Sequence, residues 1–545
     1  MSDSSAISYL DRERRLDELE TRLFDCLVIG GGITGAGIAR EAARRGLSVA
    51  LVEADDFASG TSGRSSKLIH GGLRYLAQGD VKLVRDTARE RKEVRRETPH
   101  LAEPVWMILP SSSKVSHLKF LAAVTAYEKL GEVAPAERHR SWGRGELEEH
   151  EPALDRERYA YACVYREYTT DDARLVFANL RAAVQAGAQV ANRARVESFL
   201  VEGGRICGAV AACAWTGRSM RIRARAVVNA AGPWVTGVRD FEAPDPSRGL
   251  HLSKGIHVVL PRSILPVHNP VVLGTRDRRS TFVVPRGEVV YVGTTDTSWP
   301  AGPDYWPSIT RADIDYLMAP LADSFCTEPI LPGHCLATWS GLRPLLAQGD
   351  KHPTEISRRD EIWEGETGLI SIAGGKLTGY RKMARGVLAL LFEKLGLPAV
   401  EPVEDARLPG GDFDGDIDRM AIELSQRAEI EAMAANRLVR LYGSEASEVL
   451  AGGATPLAPG APILEGEVDW AIACEEAACL EDFVYRRSRA AYYEPQWCDA
   501  ILEPAARRMG ELLGWSPERE NSEVESIRFR RQADLDFGSE DRRSS

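Results

Sequence analysis

Near its start the chain runs Phe24-Asp25-Cys26-Leu27-Val28-Ile29 straight into Gly30-Gly31-Gly32-Ile33-Thr34-Gly35. The first six residues have the apolar density of a strand covered on both faces. The second six satisfy the spacing GxGxxG. Ala36 to Arg45 is rich in helix formers, and Gly46 is placed to stop the helix. A second strand, Ser48 to Val52, ends on the acid Glu53, about twenty residues past the glycines. This order spells a βαβ unit that binds a dinucleotide. Gly30 makes the tight turn, Gly32 lets the backbone approach a pyrophosphate, and Gly35 lets the helix pack closely on the strand. The phosphates then sit at the helix N-terminus, where unpaired N–H groups and the dipole favour negative charge. Glu53 would accept hydrogen bonds from ribose hydroxyls and disfavour a 2′-phosphate, which argues against NADP. The motif alone leaves FAD and NAD both open.

At 545 residues the chain is long enough for three or four domain-sized units. Its 44% hydrophobic and 27% charged residues suit a folded, soluble protein and exclude a collagen, a coiled-coil rod or a wholly disordered chain. The net charge of -11 makes nucleic acid a poor partner. There is no run of eighteen apolar residues, so no transmembrane helix is expected. Met1 to Glu20 is polar and charged, unlike a signal peptide. Nine cysteines without a CxxC pair read as mostly buried thiols in a reducing cytoplasm. HExxH, GxSxG and carboxylate clusters with ligand spacing are missing, so neither a metal nor a serine nucleophile is expected.

Downstream of Glu53, residues 60–76 read GTSGRSSKLIHGGLRYL. The first half is small and hydroxylated, suited to a loop lying against a long cofactor; the second sets His70, Arg74 and Tyr75 around two glycines. By composition alone this is equally a polar surface loop. SSKLIHGGLRYL, however, resembles the signature of the FAD-dependent glycerol-3-phosphate dehydrogenases, flavoproteins of the glycine/D-amino-acid oxidase type. Further matches follow in order. Asp171 to Val176 is similar to a DDARLV helix start, and Ala226 to Trp234 to a VNATGPW strand. Lys254-Gly255-Ile256-His257 and Gly293-Thr294-Thr295-Asp296 fall where KGSH and GTTD stand. Ser340 to Leu345 resembles SGVRPL, and Gly374 to Thr378 matches GGKLT. The likeness spans residues 22–395 and weakens beyond. Three departures stand out: Arg286 replaces an expected aromatic residue, Gly379 a second threonine, and Ser357-Arg358-Arg359-Asp360 alters a Thr-Arg-Asp turn.

The expected fold is α/β: a Rossmann-like FAD-binding domain with an inserted, mostly antiparallel substrate-domain sheet and a C-terminal all-α domain. Residues 1–21 read as a charged tail. Residues 22–110, 160–245 and 335–397 form the discontinuous FAD-binding domain, 111–159 and 246–334 the substrate-binding domain, and 398–545 a linker and helical domain. Within these, Arg195 to Ala212 reads as a hairpin turning at Gly203-Gly204. Leu369 to Ala373 is a short buried strand that delivers Gly374-Gly375 to a helix starting at Thr378.

The resemblance implies an enzyme that oxidises sn-glycerol 3-phosphate to dihydroxyacetone phosphate, with hydride passing to FAD and electrons to a membrane quinone. It places Gly30, Gly32, Gly35, Glu53, Thr61, Ser62, Ser66, Lys67, Leu68, His70, Gly232, Gly375, Lys376, Leu377 and Thr378 at the cofactor. Arg343 and Lys376 would bind the substrate phosphate, the first as a fork and the second as a point charge. Arg74 and Tyr75 would close the other side, with Arg358 a further candidate. His257 is the expected base, since a neutral imidazole accepts a proton near pH 7; His70 is the runner-up. Leu118 to Leu130 and Tyr380 to Leu395 are amphipathic and carry lysine or arginine, so either suits a membrane surface. A core-facing helix with a solvated stripe is the commoner explanation of such a pattern. The expected setting is the cytoplasm, peripheral on the inner face of the cell membrane, with a homodimer left open. Competing readings are an oxidase using oxygen, a flavin-binding redox sensor or interaction subunit, and an NAD dehydrogenase. The last leaves the residues after Glu53 unexplained.

Overall fold

The strand Leu23–Ile29 lies near the middle of the first of two sheets in the computed structural model, which describes residues 5–71, 81–242, 249–277, 279–346, 360–398 and 406–537. It pairs in parallel with Val49–Val52 on one side and with Ser219–Asn229 on the other. Gln189–Ala191 extends one edge in parallel; Ile370–Gly374 and the antiparallel Asp360–Glu364 extend the other. Doubly covered strands explain the near-continuous apolar run: Phe24, Cys26, Leu27 and Val28 are fully buried. Helices Ile33–Ala43 and Asp172–Gln185 pack together over one face, with Tyr380–Leu395 against the first of them. The hairpin Ala194–Glu202 and Arg205–Cys213 turns at Gly203 and Gly204, both with positive φ, the conformation glycine adopts without strain.

The second sheet is largely antiparallel. Leu250–Pro261 pairs with Val289–Gly293 on one side and with Ala337–Leu346 on the other. Ser280–Arg286, Val271–Gly274, Glu103–Ser111 and Tyr161–Thr169 continue it outwards. Residues 103–110, 161–169 and 337–346, expected in the cofactor domain, therefore belong to this sheet. A strand's partner depends on distant residues, which local apolar alternation does not report.

The N-terminal segment is not a loose tail. Helix Arg12–Thr21 buries Leu16 and Leu19 against the first sheet, and Arg12 and Arg15 both pair with the buried Glu476. At the other end, Ile417–Ala428, Ala432–Tyr442, Glu465–Glu475, Pro495–Leu513 and Pro517–Asp534 make the helical domain. The first two of these are separate helices, broken where Glu429 adopts φ 53°. Seven of the nine free cysteines are buried.

The helix Tyr380–Leu395 holds its basic residues in ion pairs with the protein's own carboxylates. Met383, Val387, Leu388 and Leu391 are core, Lys382 pairs with Asp86 (2.8 Å), and Arg381 with Glu97 (3.1 Å) and Glu90 (3.4 Å). Arg385 also engages Glu90. Lys114–Leu130 is different: Val115 and Leu118 are 64% and 55% exposed beside Lys114 and Lys119. Among the described residues no helix is long and apolar enough to cross a membrane.

Candidate active site

The two sheets enclose a cavity of about 1120 Å³. At one end is the glycine turn. Gly30 has φ +113°, and a Cβ there would lie 2.6 Å from the Ala230 carbonyl oxygen. A Cβ on Gly35 would lie 1.9 Å from the Gly30 carbonyl oxygen, so only glycine lets this helix seat on its strand. Gly35 thus packs behind the wall, whereas Gly30 and Gly32 line it. The helix starts at Gly32 without a side-chain cap. Ile33 N–H donates to Ser62 Oγ (2.9 Å), which ties the loop around Thr61 and Ser62 to the helix start. Glu53 closes the end of the second strand. It accepts from Gly31 N–H (2.7 Å) and Asp55 N–H (2.8 Å), and burial pushes its carboxyl up to about 7.

At the other end, strand register assembles the polar wall. His257 stands opposite Trp339, Gly255 opposite Gly341, and Ser253 opposite Arg343. Residues two apart share a face of a strand, so His257 and Arg343 project from the same side of adjacent strands. The KGIH and SGLRPL stretches are cross-strand neighbours. The glycines make room: a Cβ on Gly255 would meet Arg343 Nη2 at 2.2 Å, and one on Gly293 would meet His257 Cδ2 at 2.0 Å. Arg343 Nη2 donates to Thr294 Oγ1 (2.7 Å), and Asp296 balances its charge at 3.5 Å. Lys376 lines the same cavity, following Gly374 and Gly375 at φ +81° and +77°. Leu377 and Thr378 line it from the turn Leu377–Gly379 that precedes Tyr380–Leu395. Ser66, Leu68, His70 and Gly232 lie in the wall too. His70 N–H donates to Thr378 Oγ1 (3.3 Å), and its ring faces Phe282.

His257 is 1% exposed, stacked on Trp339 (4.7 Å between centroids, 13° between planes), with Nε2 at 3.0 Å from Ser66 Oγ. Burial, then the charges of Lys67 and Arg343, hold its pKa well below the ordinary histidine value. The ring is therefore neutral throughout the physiological range. In ¹³Cε1-histidine-labelled protein, with His257→Gln to assign the signal, we expect no titration of His257 between pH 8 and pH 6. A midpoint near the ordinary value would contradict this environment.

Lys67 does not face the cavity. Its Nζ is fully buried and donates to Asp172 Oδ1 (3.0 Å) and to Gly63 O (3.1 Å). Burial and the nearby Arg489 push it down to about 7, against the pull of Asp172. Asp172 also accepts from Ser65 N–H (2.9 Å), Ser65 Oγ (2.7 Å) and Arg489 Nη2 (2.9 Å). It fixes the segment whose next residue, Ser66, meets His257. Arg286 is likewise behind the wall, 3.9 Å over the Tyr493 ring and 3.5 Å from Asp171. That departure therefore serves the contact with the helical domain. Arg74, Tyr75, Arg358 and Arg359 lie outside the described residues.

Sequence reasoning passed over the aromatic groups. Trp339 carries His257, and Trp234 stacks on Tyr305 at the glycine-turn end (4.3 Å). The clue to Tyr305 was a run of Trp, Pro and Tyr at 299–307 that matched no element.

A cavity walled by two helix starts and several bare glycine backbones fits a long phosphate-bearing cofactor such as FAD. Residues 25–381 match the family described as FAD dependent oxidoreductase, and residues 403–520 match the C-terminal domain of alpha-glycerophosphate oxidase. The aerobic glycerol-3-phosphate dehydrogenase of Bacillus subtilis is 35% identical over 538 residues, covering 95% of this chain and 97% of the relative. The chain belongs to the FAD-dependent glycerol-3-phosphate dehydrogenase family. The Staphylococcus haemolyticus dehydrogenase is 36% identical over 543 residues, with 96% and 97% covered. The crystal structure of the Bacillus halodurans glycerol-3-phosphate dehydrogenase, complexed with FAD, superposes with a TM-score of 0.81 at 32% identity, covering 97% and 99% of the two chains.

Proposed function

We propose that the chain oxidises sn-glycerol 3-phosphate to dihydroxyacetone phosphate and passes the electrons to a membrane quinone. The observation that carries this reading is the cross-strand wall: a neutral imidazole and a guanidinium on one face, in the same cavity as Lys376 and the glycine turn. Bound FAD supplies the acceptor for the hydride from the carbinol carbon. Arg343 and Lys376 hold the phosphate, with Thr294 and Asp296 fixing the guanidinium. His257 takes the hydroxyl proton, its plane set by Trp339 and its Nε2 by Ser66.

Beyond His70 the cavity continues between Leu109, Phe120, Ala123, Val272 and Phe282, an apolar stretch suited to a lipophilic acceptor. Phe120 and Ala123 belong to Lys114–Leu130, the helix that exposes Val115 and Leu118, which supports peripheral contact with a membrane there. Direct transfer to oxygen is the second reading, favoured by the match of residues 403–520 to an oxidase's C-terminal domain.

The test is anaerobic addition of sn-glycerol 3-phosphate to the purified yellow protein. Bleaching of the flavin band is expected, and a band that persists at millimolar substrate overturns the substrate assignment. With a soluble quinone the turnover should rise several-fold without peroxide. Stoichiometric peroxide, unaffected by quinone, would replace the quinone by oxygen. Co-sedimentation with anionic lipid vesicles, reduced by Leu118→Glu, checks the membrane contact; a parent protein that stays in the supernatant excludes it.

A further inference from the structure

Residues 299–308 leave the second sheet after Thr297–Ser298 and reach the cofactor end of the cavity before helix Arg311–Ala322 begins. The excursion is anchored at several points. Trp299 Nε1 donates to Gly302 O (2.9 Å), and Trp306 N–H donates to Asp304 Oδ1 (2.8 Å). The Trp306 ring lies under the Arg64 guanidinium at 3.7 Å and edge-on to Tyr485 of the helical domain at 5.2 Å. Ser340 Oγ donates to the carbonyl of Pro307, and Lys254 Nζ to that of Ser308 (2.8 Å). Between these anchors Tyr305 is left pointing at the cofactor domain.

Tyr305 stacks on Trp234, at 4.3 Å between centroids and 29° between planes, and both rings line the cavity. Trp234 in turn packs against Gly60, where a Cβ would come within 3.3 Å of the indole. Gly60 immediately precedes Thr61 and Ser62, which line the same wall. The Tyr305 phenol lies beside Glu53, and burial, then that carboxylate, push its pKa up. The acid at the end of the second strand is the group that takes the ribose hydroxyls in this kind of dinucleotide site. Two stacked rings, one from each sheet domain, thus meet at the position of the adenosine ribose.

We propose that residues 299–308 form a clasp over the nucleotide end of the FAD site, with Tyr305 its working side chain. The stack with Trp234 bridges the two domains across the cofactor, and the phenol orients the Glu53 carboxylate toward the ribose. Tyr305 is a positioning residue: it slows release of FAD and takes no part in hydride or proton transfer. The inference rests on FAD being the cofactor.

The test is the rate of FAD release from the purified holoprotein, followed as the rise of flavin fluorescence after dilution. Tyr305→Ala is expected to release FAD roughly ten-fold faster, the size of one lost stacking and hydrogen-bonding contact. Tyr305→Phe keeps the stack and should stay within about three-fold of the parent. Far-UV circular dichroism checks that each variant is folded. If the alanine variant is not, Tyr305→Leu retains the bulk, lacks the aromatic face and carries the same expectation. Release within two-fold of the parent for the folded alanine or leucine variant overturns the clasp. A parent protein purified without flavin that takes none up overturns the cofactor reading instead.

Discussion

Replacing Arg343 by methionine is expected to lower kcat/KM for sn-glycerol 3-phosphate by roughly two to three orders of magnitude, about 3–4 kcal/mol of lost transition-state binding. The guanidinium is held by Thr294 Oγ1 at 2.7 Å and by Asp296, in a slot that exists because position 255 lacks a side chain. Methionine keeps the length and the packing but leaves Asp296 facing a dianion across a cavity with poor solvent screening. Lysine restores the charge without the fork, and recovery should be partial, ten-fold or less over methionine. Steady-state kinetics with quinone, together with the rate of anaerobic flavin reduction, make the measurement. A methionine variant within five-fold of the parent would move the phosphate site elsewhere, with Lys376 then the anchor to examine.

Asp172→Ala should be the most damaging single change to stability away from the glycine turn. This carboxylate is fully buried and meets Lys67 (3.0 Å), Arg489 (2.9 Å) and the backbone and hydroxyl of Ser65. Removing it leaves the buried Arg489 guanidinium and the Lys67 amine without this partner, a change that costs about 3–5 kcal/mol. For a chain of this size the apparent melting temperature should fall by roughly 3–4 °C. Adding Arg489→Met to that variant should recover part of the loss, because the stranded guanidinium is gone. Thermal unfolding followed by flavin fluorescence reads both variants. A drop of less than 2 °C for Asp172→Ala would mean that Asp171 takes over both cations.

Much of this architecture is legible before folding is considered. The strand, glycine turn, helix and second strand around Gly30 follow from local pattern and local sterics. The KGIH and SGLRPL motifs stand out in the sequence only through their family resemblance; the cross-strand register that puts His257 and Arg343 on one face joins distant segments and is seen only in the structure. What could not be read depends on distant partners. Lys67 sits in a motif next to cofactor-facing residues, yet a left-handed backbone at that position (φ 53°) turns its side chain away toward Asp172. The helix Arg12–Thr21 looks like a solvated charge run because its buried arginines find Glu476 more than 450 residues later. Helix Pro517–Asp534 has little apolar periodicity to mark it, since only Val524 and Ile527 are buried along it. The amphipathic pattern of Tyr380–Leu395 is legible, but not the partners of its basic residues, Asp86, Glu90 and Glu97, which lie far away in sequence.

The first sheet carries one further consequence, for how the protein is made. Its second strand to be synthesised, Val49–Val52, pairs at once, but Ser219–Asn229 and Ile370–Gly374 emerge from the ribosome much later. At about 5–20 residues per second the glycine turn waits roughly 20–70 seconds for the last parallel strand of its sheet. Arg489, which neutralises Asp172, is translated later still. During that interval the nascent chain holds apolar strand edges and unpaired charges that only its final third can cover, so chaperones have longest to act on the very half that will grip the flavin.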